Sequence, residues 1–531
     1  MSQSMSPALT TCSATELAQL IARGEVSAAE AVEAHIERIE QVNPQINAVV
    51  VTRYAAARAE AQAADQARRS GTLAGPLHGV PITIKECLDL QDTPSTLGLP
   101  NRVHDRASAD DPYVARLRQA GAIVLGKTNV PQLLIYYESC NPVYGRTKNP
   151  WDFSRASGGS SGGEAAIIAA HGAPLGLGTD IGGSLRVPAH FCGIVSLKPT
   201  APRTLDWTRM SEPRSYGPIV SLAGPMARDV ADVELALSLI GDVPNQFAPQ
   251  PMPLGGSRTV DLSTLHVGYY TDDGTFTPSP AIKRAVREAA ELLGAAGAQV
   301  QPWQPPAAPE AVDLYYRILT SDGGALVRTL LGADRPEREI AALVWLAPRP
   351  RRMLALLERT LRLAGQRSLA TTVRALGYPA QTHLPAMERA LAQYRARFAA
   401  AMDQTDGGPL DLILCPTCAL PAYTHGASAQ LGVSGGYAVL YNVLGYPAGN
   451  VPITRVRPNE EIGRTASLDL VQRAARAVEQ GSAGLPVGVQ VAARPWQEHL
   501  ALAAMRALQD AARAQPDYPQ LSVVNQAQSD R

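Results

Sequence analysis

Short apolar runs, each the length of a strand and bounded by turn residues, recur along this chain with helix-like stretches between them. They occupy residues 46–51, 80–84 and 122–125, and the rhythm returns at 412–414, 448–453 and 487–491 before a helical stretch over 500–512. Strands that alternate with helices imply an α/β layer architecture. The first segment reads as helical. Ser13 with Glu16, and Ser27 with Glu30, are capping boxes in which each side chain satisfies a free amide at a helix start. After the second cap, Val32, Ile36 and Ile39 share one helical face, and Asn43-Pro44 is expected to end that helix.

Residues 305–400 differ: they read as mostly helical, without strand runs, and rich in arginine. Because the α/β pattern resumes afterwards, the stretch reads as an excursion from one domain spanning 1–531. Within it, Met353, Leu354, Leu357 and Leu361 form an apolar stripe beside Arg351, Arg352, Arg359 and Arg362. Either an ordinary helix with one packed face or a basic amphipathic helix fits that pattern, and the ordinary helix is the favoured reading. The last ten residues or so form a polar tail.

Composition excludes some classes. The 531 residues carry no formal net charge, so there is no field to grip a phosphate backbone, and nucleic acid is not an expected partner. No apolar run reaches the roughly 20 residues that span a bilayer. The first dozen residues have no leader-like apolar segment, so a cytoplasmic location is expected. Six scattered cysteines suit reduced thiols. Cys415 and Cys418 have redox or metal-pair spacing, but no second pair or histidine set follows, and they read as buried thiols at a strand end. Neither a metal nor a cofactor is expected.

Two motifs match by letter and fail by context. Gly121, Gly126, Lys127 and Thr128 satisfy the phosphate-loop spacing, yet the centre of the motif is itself a strand and Pro131 follows it. Gly158, Ser160 and Gly162 satisfy the nucleophile-elbow spacing, yet residues 149–157 upstream are polar and turn-rich, not a central strand.

From 157 to 200 the chain is crowded with glycine and small polar residues. Gly158-Gly159-Ser160-Ser161-Gly162-Gly163 precedes a helical stretch over 164–170, and Gly178-Thr179-Asp180-Ile181-Gly182-Gly183-Ser184 ends before Arg186 and Pro188. Glycines ahead of a serine expose backbone amides, which a developing oxyanion requires. Together with Phe191-Cys192-Gly193 and Leu197-Lys198-Pro199-Thr200, these runs resemble the amidase signature, above all the subgroup containing fatty acid amide hydrolase. Further matches lie at Gly79 to Glu86, Gly126 to Gln132, Gly224 to Arg228, Leu444 to Ala448 and Gly484 to Gln490.

The resemblance implies one α/β/α sandwich around a large, twisted, mixed β-sheet. It implies a Ser-Ser-Lys catalytic set: Lys85 as base, Ser160 as a relay on a cis peptide, and Ser184 as nucleophile. The amides of Ile181, Gly182, Gly183 and Ser184 would form the oxyanion hole, and Leu134, Ile135, Tyr136 and Tyr137 the acyl pocket. The substrate would be a small-molecule apolar or aryl amide, with carbamates and esters also in range. The alternatives are the amidase subunit of a tRNA-dependent amidotransferase, which needs partner subunits, and a non-catalytic binding protein. The oligomeric state stays open. Glu86 is expected to face away from Lys85, since successive strand residues do. Asp180 and Arg186 are expected to pair, Ser161 to be a hydrogen-bonding neighbour, and His78, His171 and His190 to pack or lie at the surface. Ser196 stands where the family usually has glycine, so a positive φ there would force a local difference.

Overall fold

The computed structural model describes residues 6–205, 218–244 and 252–521. The N-terminal five residues and the polar tail expected from the sequence lie outside this range. Both capping boxes form, at Ser13 with Glu16 and at Ser27 with Glu30. The helix Ala28–Ile46 does not stop at Pro44, however. Pro44 and the residue four before it, Glu40, whose carbonyl loses its amide partner, are both exposed and lie on the solvent side of the helix. The chain turns at Asn47, in the left-handed region at φ 51°, and Asn43 Oδ1 accepts from the Ala48 and Val49 amides at 2.7 and 2.8 Å.

The strands begin with β1 (Val49–Thr52), β2 (Pro81–Lys85) and β3 (Ile123–Thr128). Two small hairpins follow, β4 (Cys140–Asn141) with β5 (Gly145–Arg146), and β6 (Lys148–Asn149) with β7 (Asp152–Ala156). Then come β8 (Leu175–Asp180), β9 (Val195–Lys198), β10 (Leu222–Ala227), β11 (His266–Tyr269) and β12 (Gln299–Pro302). The last three are β13 (Leu412–Pro416), β14 (Ala448–Arg455) and β15 (Pro486–Ala493). Each of the six strand-length runs seen in the sequence becomes a strand, with its ends shifted by a few residues.

Eleven strands form one sheet in the order β1-β3-β2-β8-β10-β9-β14-β15-β13-β11-β12. It is mixed: β3-β2-β8 and β13-β11-β12 are parallel, and the remaining pairs are antiparallel. Every residue of β2, β3, β8, β10 and β15 is buried, so both faces of the sheet centre are covered. Helices such as Gly162–Ala169, Pro280–Ala295 and Glu498–Arg513 pack against it. This is the α/β architecture with a large mixed sheet that the sequence implies. The glycine-spaced segment ending at Thr128 is strand β3 and not a phosphate loop. The segment before Ser160 contains β7, which forms a two-stranded sheet with β6 and a single bridge from Arg155 to Thr424, and stands apart from the central sheet.

Between β12 and β13 the chain is helical, from Ala308–Leu319 to Ala380–Asp403. The stripe on Arg351–Leu363 packs locally. Leu354, Val373 and Leu376 form a small second core, with Leu343, Leu346, Leu357 and Leu361 against it. Met353 faces solvent. Among the described residues no helix is long and apolar enough to cross a membrane.

Candidate active site

Strands β2 and β8 are parallel neighbours, so their carboxyl ends lie at one edge of the sheet. Lys85 is the last residue of β2, and Thr179 and Asp180 end β8. Lys85 is wholly buried. Its Nζ donates to Ser160 Oγ at 2.7 Å, to Thr179 Oγ1 at 2.7 Å and to the Thr179 carbonyl at 3.3 Å. Glu86 faces elsewhere, accepting from the Thr96 and Leu97 amides.

Ser160 lies just before the helix Gly162–Ala169, after a cis peptide bond at Gly159-Ser160. Ser184 follows β8 in a tight turn and is 6% exposed, against 2% for Ser160. The two serine loops are tied directly, because the Ser161 amide donates to the Ser184 carbonyl at 3.1 Å. Ser161 is thus a hydrogen-bonding neighbour, as expected. The turn needs glycine at 183, where φ is 103°.

Asp180 and Arg186 pair, both fully buried, at 3.0 Å. Asp180 also accepts from the amides of Gly183 and Leu185, at 2.8 and 3.1 Å, and so holds the Ser184 turn from both sides. Asn442 donates to Asp180 Oδ1 at 2.9 Å, and Arg186 donates to Gln490 Oε1 at 2.6 Å and to Asn442 Oδ1 at 2.6 Å. Burial pushes the Asp180 carboxyl up, but the Arg186 guanidinium and the Asn442 amide outweigh it and hold it below the usual range.

The four residues expected in an acyl pocket divide. Tyr137 is buried and donates through its hydroxyl to the Gly182 carbonyl, beside the Ser184 turn. Tyr136 sends its hydroxyl to the Cys140 carbonyl at 2.7 Å. Leu134 is half-buried and Ile135 is 37% exposed. Leu133 and Leu134 both have positive φ, 58° and 60°, a strained pair that marks this segment as one held in place by its surroundings.

Several neighbours left no local signal in the chain. Tyr315, on the first helix of the excursion, stands over the turn: a Cβ on Gly182 would fall 2.2 Å from its hydroxyl. Trp345 and Met353, farther along the excursion, are exposed. Thr179 and Glu164 belong to the quoted runs, but neither spacing nor composition distinguishes them from helix and strand filler. His190 is buried between the carbonyls of Leu420 and Gly488, and burial pulls it down to about 4. Ser196 is not at positive φ. It sits in β9 with its hydroxyl buried and unpartnered, so the departure from glycine changes no backbone there. Cys415 lies in β13 and Cys418 just beyond it, both as buried free thiols.

Residues 30–502 match the family described as Amidase. The chain is 34% identical over 521 residues to fatty acid amide hydrolase 1 of Caenorhabditis elegans, covering 93% of this chain and 87% of that one. Against the indoleacetamide hydrolase of Bradyrhizobium diazoefficiens it is 41% identical over 295 residues, 54% of this chain and 55% of that one. A solved structure of a fatty acid amide hydrolase superposes with a TM-score of 0.83 at 27% identity, covering 96% of this chain and 86% of the other.

Proposed function

The chain belongs to the amidase family, and on that premise we propose that it is a serine hydrolase that cleaves apolar or aryl amides through Ser184, Ser160 and Lys85. The observation that carries this reading is the fully buried contact of 2.7 Å between Lys85 Nζ and Ser160 Oγ. A lysine can serve as a base only when neutral, and burial disfavours its charged form.

In this mechanism Ser184 Oγ attacks the substrate carbonyl while its proton passes to Ser160, whose own proton passes to Lys85. The Gly183 amide already donates to Asp180, so the Ile181, Gly182 and Ser184 amides are the donors we assign to the oxyanion. As the tetrahedral intermediate collapses, the proton returns through Ser160 to the departing amine. Water, activated by the same relay, then cleaves the acyl-Ser184 ester and releases the acid.

We assign the acyl pocket to the segment 134–137, with Tyr137 innermost and Tyr315 closing the wall over Gly182. Two tyrosines against the reacting turn favour an aryl or alkyl group over a charged one. Carbamates and esters extend the range, since both present a carbonyl to the same nucleophile. The location we assign is cytoplasmic. Burying a ring in a desolvated pocket contributes roughly 2 kcal/mol, enough to favour aryl over acetyl substrates more than tenfold. Specificity constants for acetamide, a long-chain fatty amide, an anilide and an N-aryl carbamate test this. Preference for the anilide and carbamate is expected, and preference for acetamide or the fatty amide refutes the substrate class.

A further inference from the structure

Glu164 is a fully buried carboxyl on the helix that follows Ser160. It lies four residues after Ser160 in the first turn of the helix Gly162–Ala169, every residue of which is buried. Thr83 Oγ1 donates to Glu164 Oε1, and Thr128 Oγ1 donates to Oε2 at 2.6 Å. Thr83 is two residues before Lys85 on β2, so the two side chains share a face of the sheet. Opposite Thr83 on β8 is Gly176, and a Cβ there would come within 1.8 Å of Oε1. The carboxyl therefore fills a slot shaped for it between β2, β3 and β8.

Lys85 lies two residues along the same strand face from Thr83, which donates to this carboxyl. Burial pushes Glu164 up to about 7, against the pull of the Thr128 and Thr83 hydroxyls and of Lys85. The other charged or titratable groups buried on elements packed against its helix have partners of their own, and Glu37 and Glu40 on the helix Ala28–Ile46 are exposed. On β8 and the helix Arg186–Cys192, Asp180 is paired with Arg186, and His190 lies between two carbonyls. On β3, Lys127 donates to the Pro94 carbonyl and Ser95 Oγ. On the helix Ala28–Ile46, His35 bonds the Ala31 carbonyl, and Arg38 donates to the Ala170 carbonyl. Strands β1 and β10 carry no ionisable residue.

We infer that Glu164 is a positioning residue whose carboxyl titrates together with Lys85 and sets the pH at which that lysine becomes neutral. The inference rests on Lys85 being the base. A carboxylate in a dry site stabilises the neighbouring ammonium and keeps the base protonated, whereas a protonated carboxyl releases it. Two groups so placed lose protons as a pair. The Thr83 and Thr128 hydroxyls can donate to the carboxylate, and either can turn to accept from the carboxylic acid, so both forms are accommodated.

The test is the pH dependence of kcat/KM on an anilide for the unaltered protein, Glu164→Gln, Thr128→Val and Lys85→Ala. With Glu164→Gln, the ascending limb should move down by about one pH unit or more, because a neutral amide cannot hold the ammonium. Thr128→Val removes a donor to the carboxylate and should move the limb the same way by less. Thermal unfolding reports whether each variant folds, and Thr128→Val decides the matter if Glu164→Gln does not. A limb that stays in place while Lys85→Ala abolishes it makes Glu164 structural only and overturns the inference. A limb that survives Lys85→Ala instead removes Lys85 as the base, a failure of the proposed mechanism itself.

Discussion

Lys85 Nζ reaches Ser160 Oγ across 2.7 Å although 75 residues of chain separate them. The contact depends on strand order. Because β2 lies beside β8, Lys85 and Thr179 meet at one sheet edge, and the Ser161–Ser184 backbone bond draws the two serine loops to the same place. Nothing local to either residue specifies this meeting.

The nucleophile is open to direct chemical trial. A fluorophosphonate should modify Ser184, and peptide mapping should place the adduct there. Ser184→Ala should lower kcat by more than about a thousandfold, as loss of a nucleophile does in serine hydrolases. An adduct on Ser160 with Ser184 unmodified would overturn the assignment.

Lys85→Ala should harm amides more than matched esters, because an amine leaves poorly unless protonated and an alkoxide does not share that need. General acid–base help is worth about a hundred- to ten-thousandfold, which bounds the difference between the two substrates. Equal losses on a matched anilide and aryl ester would remove Lys85 from the relay.

Arg186→Met should destabilise the fold by about 3–5 kcal/mol, since it leaves the Asp180 charge buried without its partner. Urea unfolding measures this. The Asp180 carboxyl is held below its unfolded value, so the stability it contributes is present above about pH 4 and is lost only as pH falls toward strong acid. The double change Arg186→Met with Asp180→Asn should cost less than the sum of the two single changes, because they share one network.

Asp273 should behave in the opposite sense. It is buried, its Oδ2 has no hydrogen-bond partner, and burial pushes its carboxyl up to about 6. Below about pH 4 the folded and unfolded chains are both protonated there and no difference arises. As pH rises to about 6 the unfolded chain loses its proton first, and stability falls; above that the penalty is constant. Asp273→Asn keeps an oxygen for the Thr275 amide, which donates to Oδ1 at 2.8 Å. It should therefore stabilise the fold at pH 8 by up to roughly 3 kcal/mol, read as a higher Tm, and leave Tm unchanged at pH 4. A decrease in Tm at pH 8 would contradict this account.

The sequence by itself determined the strand rhythm, the two helix caps and the glycine-rich turns that carry Ser160 and Ser184. These are local signals: apolar period, turn residues and backbone freedom are written within a few positions of where they act. It also pointed to the pairing of Asp180 with Arg186, which lie six residues apart. Tertiary structure alone decided that Asn442 and Gln490 complete that pair, that Thr179 holds Lys85, and that Tyr315 from the helical excursion covers Gly182. It alone decided that Glu164 accepts from Thr83 and Thr128 and that the helix runs through Pro44. The reason is the same in each case. A polar side chain finds its partner through strand order and long-range packing, and a proline is tolerated or not according to which side of the helix meets water; neither leaves a mark in the neighbouring residues.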